Sequence, residues 1–540
     1  MSSECFAVPE RNKCSPRIST GLILVLTLVL SACSSVGPDY EPPTAPVAES
    51  WQVTRADADE ALTAETDTSD YSDWWTSFED SILNELVAMS RSQNLSLQVA
   101  GLRVLEARAE LGVAVGNLYP QSQSARGSVS GVGLSDNQAN FAPGIFDTSY
   151  QEAELGFDVG WELDVWGRFR RAIEAADATL LSEIAGYDDV LVTLAADVAT
   201  AYVLIRTFEE RLSLARDNVA IQARSLEIAE VRYDNGLTTE LDVQQARALL
   251  ANTQASIPSL DLGLRQTQHA LSVLLGLPPS DMRGILERGP KLIPDAPPVI
   301  ALGMPAELLR RRPDIRQAER TAAAQSAVIG LAKADLYPSF SLAGSVGLRA
   351  GDTGSSSLGD VFDSDSLEYS VGPSFSWNIL NYGRIKNAVR AEDALFQQTV
   401  LSYQDTVLRA AQEVEDAVVS FTRNRARVEF LAAGVVAAER SVTLALVQYR
   451  DGTAAYTRVL DTQESLVDQQ DSYTAARGDV LESLIEAYRA LGGGWQSRPE
   501  SGFVPAGIKS EMSERTDWGQ LLAPEATEPP PESPLRAPDW

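Results

Sequence analysis

The sequence is poor in the residues that most catalytic and metal sites require. Its 540 residues include one histidine, His269, and three cysteines, Cys5, Cys14 and Cys33, all near the N-terminus. One histidine cannot form a histidine-based metal cluster within a chain, and no disulfide can link distant parts of the body. His269 lies in a helical pattern and is interpreted as an ordinary helix-face residue. We therefore expect a protein that is not an enzyme and that holds no cofactor or metal.

Basic residues are also scarce. Lysine and arginine number 44 against 75 aspartates and glutamates, which gives a formal net charge of −31. Such a chain repels phosphates, so nucleic acid is not expected as a partner. The hydrophobic content of 44% is that of a folded protein. The apolar run at 21–30 has about half of the ~20 residues that a helix needs to cross a bilayer.

The run at 21–30 instead fits a secretory signal, because three basic residues precede it and small residues follow. The sequence Leu-Ser-Ala-Cys at 30–33 resembles a bacterial lipobox. The resemblance implies that residues 1–32 are a lipoprotein signal peptide and that Cys33 is lipidated after cleavage. Ser34 then implies sorting to the outer membrane. An ordinary signal peptide with a chance cysteine is the alternative.

A phrase of eight residues occurs twice in the chain. WELDVWGR occupies 161–168 and WNILNYGR occupies 377–384, which are 216 residues apart. The shorter phrases NLYP and DLYP, and further pairs, recur in the same order at nearly the same distance. We infer two copies of one unit, at 71–284 and 305–492.

The segments outside the two copies differ from them in composition. A connector at 285–304 joins the copies. Residues 33–70 are rich in proline, alanine, threonine and acidic residues, and they are predicted to be a lipidated tether or strap outside the core. Residues 493–540 end in a Pro/Glu-rich sequence and are predicted to be a disordered tail.

Each copy has a strand pattern in its first half. Apolar and polar residues alternate along 153–165 and along 367–379, which indicates strands with one apolar and one polar face. A second strand precedes each of them. The pattern therefore predicts β-hairpins at 120–165 and 338–381, each preceded by a helix.

A helical pattern follows each hairpin. From the Gly-Arg pair onward, apolar residues recur every seven residues, and such a repeat requires a packed partner helix. It predicts long helices at 168–235 and 384–451, each about 100 Å in length. Return helices are predicted at 238–275 and 454–491.

Four strands per chain cannot close a membrane barrel, because the smallest such barrels need about eight. An open sheet edge in lipid leaves backbone groups unsatisfied, at several kcal/mol each. Strands that enter a membrane must therefore be pooled, eight from two chains or twelve from three. Aromatic residues suited to a membrane interface lie at the strand–helix junctions: Trp161, Trp166, Trp377 and Tyr382. Packing of these aromatics in a soluble sheet is the alternative.

The chain resembles the TolC-type outer-membrane efflux family, in particular its NodT-type lipoprotein branch that serves resistance-nodulation-division pumps. The resemblance rests on VGPDYEPP after Cys33, DWWTSFEDSILNELV from Asp73, RRRPDIRQAE from Arg310, RALGGGW from Arg489 and the repeated phrases. It implies a mainly α fold with a pair of membrane β-hairpins. Three chains would contribute twelve strands to an outer-membrane β-barrel, which continues as a long periplasmic α-helical barrel.

The resemblance also implies a function and partners. The protein would be a homotrimeric exit duct of a tripartite efflux pump, anchored in outer-membrane lipid, that exports drugs or other small molecules. Its partners would be a periplasmic adaptor (a membrane fusion protein) and an inner-membrane resistance-nodulation-division transporter. One alternative is a TolC-like duct for type I protein secretion. The other is a lipid-anchored coiled-coil scaffold that conducts nothing, which the alternating hairpins disfavour.

The resemblance assigns two groups of residues to the ends of the long helices. The adaptor-docking tips are Gly236, Leu237, Thr238, Gly452 and Thr453. The periplasmic gate residues are Asp461, Thr457, Tyr449, Asp242 and Arg458. Arg458 stands where the best-known family pattern has a second aspartate, so a double aspartate ring is not carried over. Three copies of Asp461 are expected to form one ring in the lumen, and a solvated outer position of Asp461 is the alternative.

Overall fold

The structure of the chain is a computed structural model. It describes residues 35–52, 62–63, 71–135, 147–296, 300–301, 311–354, 356–498 and 502–523. The signal peptide at 1–32, the lipidation residue Cys33 and the Pro/Glu-rich end at 524–540 lie outside the described residues.

Helices account for most of the described chain. In chain order they are α1 Ser81–Gln93, α2 Leu95–Gly116, α3 Arg168–Asp234, α4 Glu240–Leu274, α5 Arg283–Leu286, α6 Pro313–Ala334, α7 Arg384–Arg450, α8 Tyr456–Ala490 and α9 Ala506–Arg515. The long helices α3 and α7 have 67 residues each, and the return helices α4 and α8 have 35 each. The same order of strands and helices thus occurs twice.

The described strands form two sheets. They are β1 Leu62–Thr63, β2 Ser122–Gly133, β3 Ser149–Leu163, β4 Ile300–Ala301, β5 Ser339–Gly351 and β6 Leu367–Ser376. β1 and β4 form a short parallel pair. The other four form one antiparallel sheet in the order β2-β3-β5-β6. The two hairpins therefore share a single sheet, joined through β3 and β5, and the predicted mainly α fold with a pair of β-hairpins is confirmed.

Each long helix begins at the Gly-Arg pair because the glycine has a left-handed backbone. The φ angle is 78° at Gly167 and 84° at Gly383, a conformation that glycine adopts without steric cost. In the first copy, the Asp164 carboxylate accepts the backbone N–H groups of Phe169 (3.0 Å) and Arg170 (3.1 Å). These bonds satisfy two of the donors left free at a helix start. The repeated phrase therefore ends where a strand becomes a helix.

Helix α3 is the centre of the main core. It packs against α1, α2, α4, α6 and α8. Residues at the predicted seven-residue spacing face inward: Leu191, Val198 and Ile205 are fully buried, and each such burial stabilises the fold by roughly 1.5–3 kcal/mol. Gln222, a polar residue of the same helix, is also buried, at 2% exposed.

The N-terminal segment predicted to lie outside the core, 33–70, is a strap where the structure describes it. Residues 35–52 run along α6 and α7, and the Tyr40 hydroxyl donates to the carbonyl of Glu319 (3.2 Å). At the far end of the strap Trp51 is buried in the main core, at 5% exposed. The prediction of a tether outside the core is wrong there, because one large apolar side chain interrupts a segment of prolines and acids.

The prediction of a disordered tail over 493–540 is wrong for the part that the structure describes. Helix α9 belongs to that part, and Phe503 and Val504 are buried in the main core. The guanidinium of Arg498 donates to both carboxylate oxygens of Asp188, at 2.8 and 2.6 Å. Two apolar residues and one buried ion pair therefore fix this segment.

Replacing Arg498 with alanine should destabilise the chain by about 2 kcal/mol, because Asp188 loses two charge-assisted hydrogen bonds and keeps only Arg316, at 3.5 Å, beside its buried charge. Asp188 is fully buried, and this burial raises its pKa although Arg498 and Arg316 oppose the shift. Since the folded pKa lies above the unfolded one, the folded chain takes up a proton as the pH falls. The destabilisation caused by the substitution should therefore be smaller at low pH, where Asp188 is protonated. Thermal unfolding of the variant, followed by circular dichroism in detergent, measures it.

Arg427→Ala is the matched control. It removes the partner of Asp479 from an ion pair in which both side chains are about half exposed (3.0 Å), and such pairs contribute only about 0–1 kcal/mol. Equal losses in the two variants, or a loss for Arg498→Ala that is the same at every pH, would contradict the assignment.

Candidate functional site

The four-stranded sheet has one apolar face. The register places Leu155 opposite Leu348, and Leu348 opposite Leu367. Residues directly opposite each other share a face, so apolar side chains form continuous rows across the strands. Several of them are exposed in the single chain, including Tyr369 at 78% and Phe375 at 71%. An exposed apolar surface of this extent indicates contact with lipid or protein.

The opposite face is charged. Arg126 forms ion pairs with Glu154 and Asp158. Arg349 lies across the sheet from them and contacts Glu152 (3.2 Å) and Glu154 (3.5 Å). The charges are paired between neighbouring strands, and this face is therefore suited to water.

Both edges of the sheet are unpaired in the single chain. Among the described strands, β2 pairs only with β3, and β6 pairs only with β5. The edge strands are 12 and 10 residues long, and each presents a row of free backbone N–H and C=O groups that another strand can use. Because direction alternates across the sheet, β2 and β6 run in opposite directions. β6 of one chain can therefore pair with β2 of a second chain in antiparallel fashion.

Two of the predicted interface aromatics make the same contact in both copies. The indole N–H of Trp161 donates to the carbonyl of Leu118 (3.1 Å), and that of Trp377 donates to the carbonyl of Leu336 (3.0 Å). Both carbonyls belong to the repeated Leu-Tyr-Pro turns. The two repeated phrases of each copy are thus bonded to each other where the sheet meets the helices.

The other two interface aromatics differ from each other. The indole N–H of Trp166 donates to the carbonyl of Pro338 in the second copy (2.8 Å), and its ring stacks on Tyr337 with the centroids 4.7 Å apart. Tyr382 is 97% exposed. Trp166 therefore links the two copies, and Tyr382 is available to its surroundings.

The strap begins at the same junction. The backbone N–H of Val36 donates to the carbonyl of Trp166 (2.9 Å), and Asp39 forms an ion pair with Arg171 (2.8 Å). Between these residues Gly37 crosses helix α6 so closely that a β-carbon on it would lie 2.4 Å from the Gly330 α-carbon. Only glycine permits such an approach.

Exposed apolar side chains are concentrated on the helices at the two sides of the chain. The packing order is α2-α3-α6-α7 towards the sheet and α4-α3-α8-α7 towards the tips. Within the described residues, the inner helices α6 and α8 have no exposed large apolar side chain, whereas α7 exposes 80% of Phe430 and α4 exposes 58% of Leu262. A stretch of α7 that is apolar enough to cross a membrane is only 17% buried, against 72% for α3. The outer helices therefore have surfaces that a partner must cover.

The turns at the far ends of the long helices have the same backbone. The φ angle is 68° at Gly236 and 75° at Gly452. In each turn the next residue donates its N–H back to the last helical turn, Leu237 at 2.8 Å and Thr453 at 2.9 Å. This is a glycine-dependent helix stop. Leu237 is 65% exposed at the tip.

The structure brings three of the predicted tip and gate residues together. The hydroxyl groups of Thr238 and Tyr449 both donate to the Asp242 carboxylate, the latter at 3.5 Å. The guanidinium of Arg232 lies 4.8 Å from the centre of the Tyr449 ring and donates to the carbonyl of Arg450 (3.0 Å). Tyr449 is 2% exposed, and burial raises its pKa, so its hydroxyl keeps its proton. We name these five residues the tip clasp, because they join the first helix pair to the second.

Arg232 was not predicted from the sequence. It occupies in the first copy the position that Gln448 occupies in the second, 216 residues later. A charged residue present in one copy alone is the signal that would have identified it.

The remaining predicted gate residues lie on another helix, α8. Thr457, Arg458 and Asp461 are exposed on α8, and Thr457 and Asp461 are one turn apart on the same face of that helix. The five predicted gate residues therefore form two groups, a buried contact within the chain and an exposed face of α8.

Replacing Arg232 with alanine should loosen the tip clasp. The variant loses a cation–π contact and a hydrogen bond, together worth roughly 1.5 kcal/mol, so amide hydrogen exchange at the two tips should be about tenfold faster. Arg247→Ala is the control, since Arg247 of α4 forms an exposed ion pair with Glu230 of α3 (2.8 Å), which lies near the tip but within the first helix pair. Equal exchange rates in the two variants would show that the clasp does not hold the tips.

Comparison with known proteins gives consistent matches over most of the chain. The model of a family described as outer membrane efflux protein matches residues 86–277 and 304–493. Nodulation protein T of Rhizobium leguminosarum bv. viciae is 31% identical over 477 residues, which cover 87% of this chain and 92% of that protein. The pyoverdine export outer membrane protein OpmQ of Pseudomonas putida is 30% identical over 491 residues, covering 88% and 97%. The outer membrane protein OprJ of Pseudomonas aeruginosa is 30% identical over 478 residues, covering 87% and 95%.

Solved structures with the same fold are also known. The outer-membrane channel OprN superimposes with a TM-score of 0.78 at 32% identity, covering 86% of this chain and all of that chain. The CmeC outer membrane channel of Campylobacter jejuni superimposes with a TM-score of 0.77. Its identity is 21%, so that likeness concerns the fold alone.

Proposed function

The chain belongs to the outer membrane efflux protein family, and from this premise we propose that it is the outer-membrane exit duct of a tripartite efflux pump. Three copies form one duct, which carries drugs or other small molecules across the periplasm and the outer membrane. The name of one relative records export of pyoverdine, a small molecule, and this supports a small-molecule cargo. Family members are channels, which supports a function without catalysis.

The observation that carries the proposal is a two-faced sheet with two free edges. Three chains supply twelve strands that alternate in direction around the whole ring, and this closed ring has no open edge. Their apolar faces turn to lipid and their charged faces line the lumen. A closed ring of eight strands from two copies has an interior that side chains fill, so it offers no passage. With four strands per chain, twelve strands therefore form the smallest closed ring that leaves a passage for cargo.

The helices support the same arrangement. The exposed apolar side chains of α7 lie on one side of the chain and those of α2 and α4 on the other. In a ring of three chains, α7 of each chain packs against α2 and α4 of the next chain, and both surfaces become buried. The inner helices α6 and α8 already lack exposed apolar residues within the described chain, as expected for helices that meet only their own copy and water.

The two ends of the duct have different partners in this proposal. At the membrane end, Cys33 is acylated two residues before the strap begins at the strand–helix junction, and the junction aromatics lie at the lipid interface. At the periplasmic end, the glycine turns at 236 and 452 dock to an adaptor that connects the duct to an inner-membrane resistance-nodulation-division transporter. The tip clasp and the Asp461 ring close the duct until docking.

Cells that lack this chain should retain a fluorescent pump substrate, and returning the chain should restore export only when the transporter is also present. The physical reason is that a passive duct moves cargo only when an energised partner delivers it. Substrate efflux from preloaded cells measures this. Restored export in cells without the transporter would favour a duct for another system, such as protein secretion.

Replacing Gly452 with glutamine should abolish efflux and adaptor capture while leaving the trimer intact. The left-handed backbone at Gly452 costs any other residue about 1 kcal/mol, too little to unfold the tip. The nearest atom to an added β-carbon is 3.7 Å away, on Arg232, so a longer side chain has room to project from the tip. Gly452→Ala has the same backbone cost without the bulk and should stay active. An active glutamine variant, or equal loss in both, would contradict a docking role.

Replacing Asp461 with alanine should raise single-channel conductance in planar bilayers and weaken block by divalent cations several-fold. Three exposed carboxylates around one axis form a ring that holds cations and narrows the passage. Asp261→Ala is the control, because Asp261 is half exposed on outer helix α4 beside Arg265 (4.0 Å). Unchanged conductance and block in Asp461→Ala would place the constriction elsewhere.

A further inference from the structure

The connection between β5 and β6 is folded rather than extended. It contains short 3-10 helical turns at Leu358–Phe362 and Ser364–Ser366. Ser357 caps the first turn, since its backbone N–H donates to the Asp360 carboxylate at 2.7 Å and its hydroxyl donates at 3.1 Å. The turn at Leu358–Phe362 therefore has a fixed backbone.

The contacts of Val361 show on which face of the sheet this turn lies. Val361 is 7% exposed and packs against Ala153 and Ala350, which are paired with each other across β3 and β5. Ala153 belongs to the alternating set that contains Leu155 and Phe157, so it lies on the apolar face. The turn consequently rests on the outside of the proposed barrel and not over its lumen.

The residue after Val361 points away from the sheet. Phe362 is 77% exposed, and on the same face β6 exposes Leu367 at 57% and Tyr369 at 78%. Asp360 lies two residues before Phe362, and Asp363 follows it directly. An aromatic side chain among polar residues at the end of an apolar band is the arrangement found where a barrel meets the headgroup layer.

We propose that the turn at Leu358–Phe362 is an anchor in the outer leaflet, with Val361 fixing it to the sheet and Phe362 inserted between lipid headgroups and acyl chains. The inference rests on the proposed function, because it requires the apolar face to meet lipid. Among the described residues, the turn rests mainly on β3 and β5, the two inner strands of the sheet, rather than on the edge strands β2 and β6. A second chain would approach at the edges of the sheet. Lipid is therefore favoured over a second chain as the surroundings of Phe362.

A consequence concerns the outer mouth of the duct. A connection held on the outside of the barrel by Val361 leaves the lumen clear of these residues. It also sets how deeply the barrel sits, because an inserted phenylalanine resists movement towards water. Burying such a side chain in an apolar environment is favourable, because it removes apolar surface from water.

A spin label at position 362 tests the anchor. The three cysteines of the full sequence are all at or before Cys33, so the acylated mature protein offers a background without a free thiol, and unsubstituted protein treated with the reagent checks this. Phe362→Cys is labelled with a nitroxide in the full chain, and the trimer is reconstituted in vesicles of phosphatidylcholine and phosphatidylglycerol. Accessibility to oxygen, which partitions into lipid, is compared with accessibility to a water-soluble nickel chelate.

Two neighbouring residues on opposite faces are the matched controls. Tyr369→Cys reports the apolar face and Ser370→Cys the charged face of β6. The anchor predicts an oxygen-to-nickel ratio at 362 that is several-fold above the ratio at 370 and comparable to that at 369. A label at 362 that nickel reaches freely overturns the anchor while the ratio at 369 still supports the proposed function.

Two further outcomes also decide the question. A label at 362 that is immobile and shielded from both reagents overturns the anchor, because it shows a protein contact with a second copy. A label at 369 that nickel reaches freely contradicts the membrane sheet itself, and the anchor then fails together with the proposed function.

Discussion

Unpaired backbone at the two edges of the four-stranded sheet is the constraint on which the rest of the structure depends. In water these groups can bond to solvent, but in lipid each costs several kcal/mol. A chain with two such edges, 12 and 10 residues long, cannot place its sheet in a membrane alone. In the proposed duct, neighbouring chains therefore meet edge to edge, and their helices then meet side to side. The exposed apolar residues of the outer helices follow from the same requirement.

The strand–helix junction transmits this arrangement from the sheet to the helices. A left-handed glycine at 167 and at 383 stands immediately before each long helix, at the end of the short turn that follows the strand. The indole bonds of Trp161 and Trp377 tie each junction to the turn before the preceding strand, and the strap fastens across the first junction. The repeated eight-residue phrase is therefore the residue set that fixes the angle between the sheet and the helices. That role accounts for its presence in both copies.

The periodic parts of the fold were predictable from the sequence. The seven-residue repeat predicted helices at 168–235 and 384–451, and the structure has Arg168–Asp234 and Arg384–Arg450, because a long apolar stripe leaves few alternatives. Contacts between distant single residues were not predictable. Arg498 binds Asp188, which is 310 residues away in the sequence, and the sequence around either residue does not predict that pair.

The central claim is that three chains close one barrel, and the number of chains in the membrane-extracted protein tests it most directly. Native mass spectrometry after release from detergent should give a mass three times that of the acylated mature chain, with no stable single chain. A folded, stable monomer would show that the free edges are satisfied without partners. A dimer would mean eight strands and no passage. Either result would contradict the account.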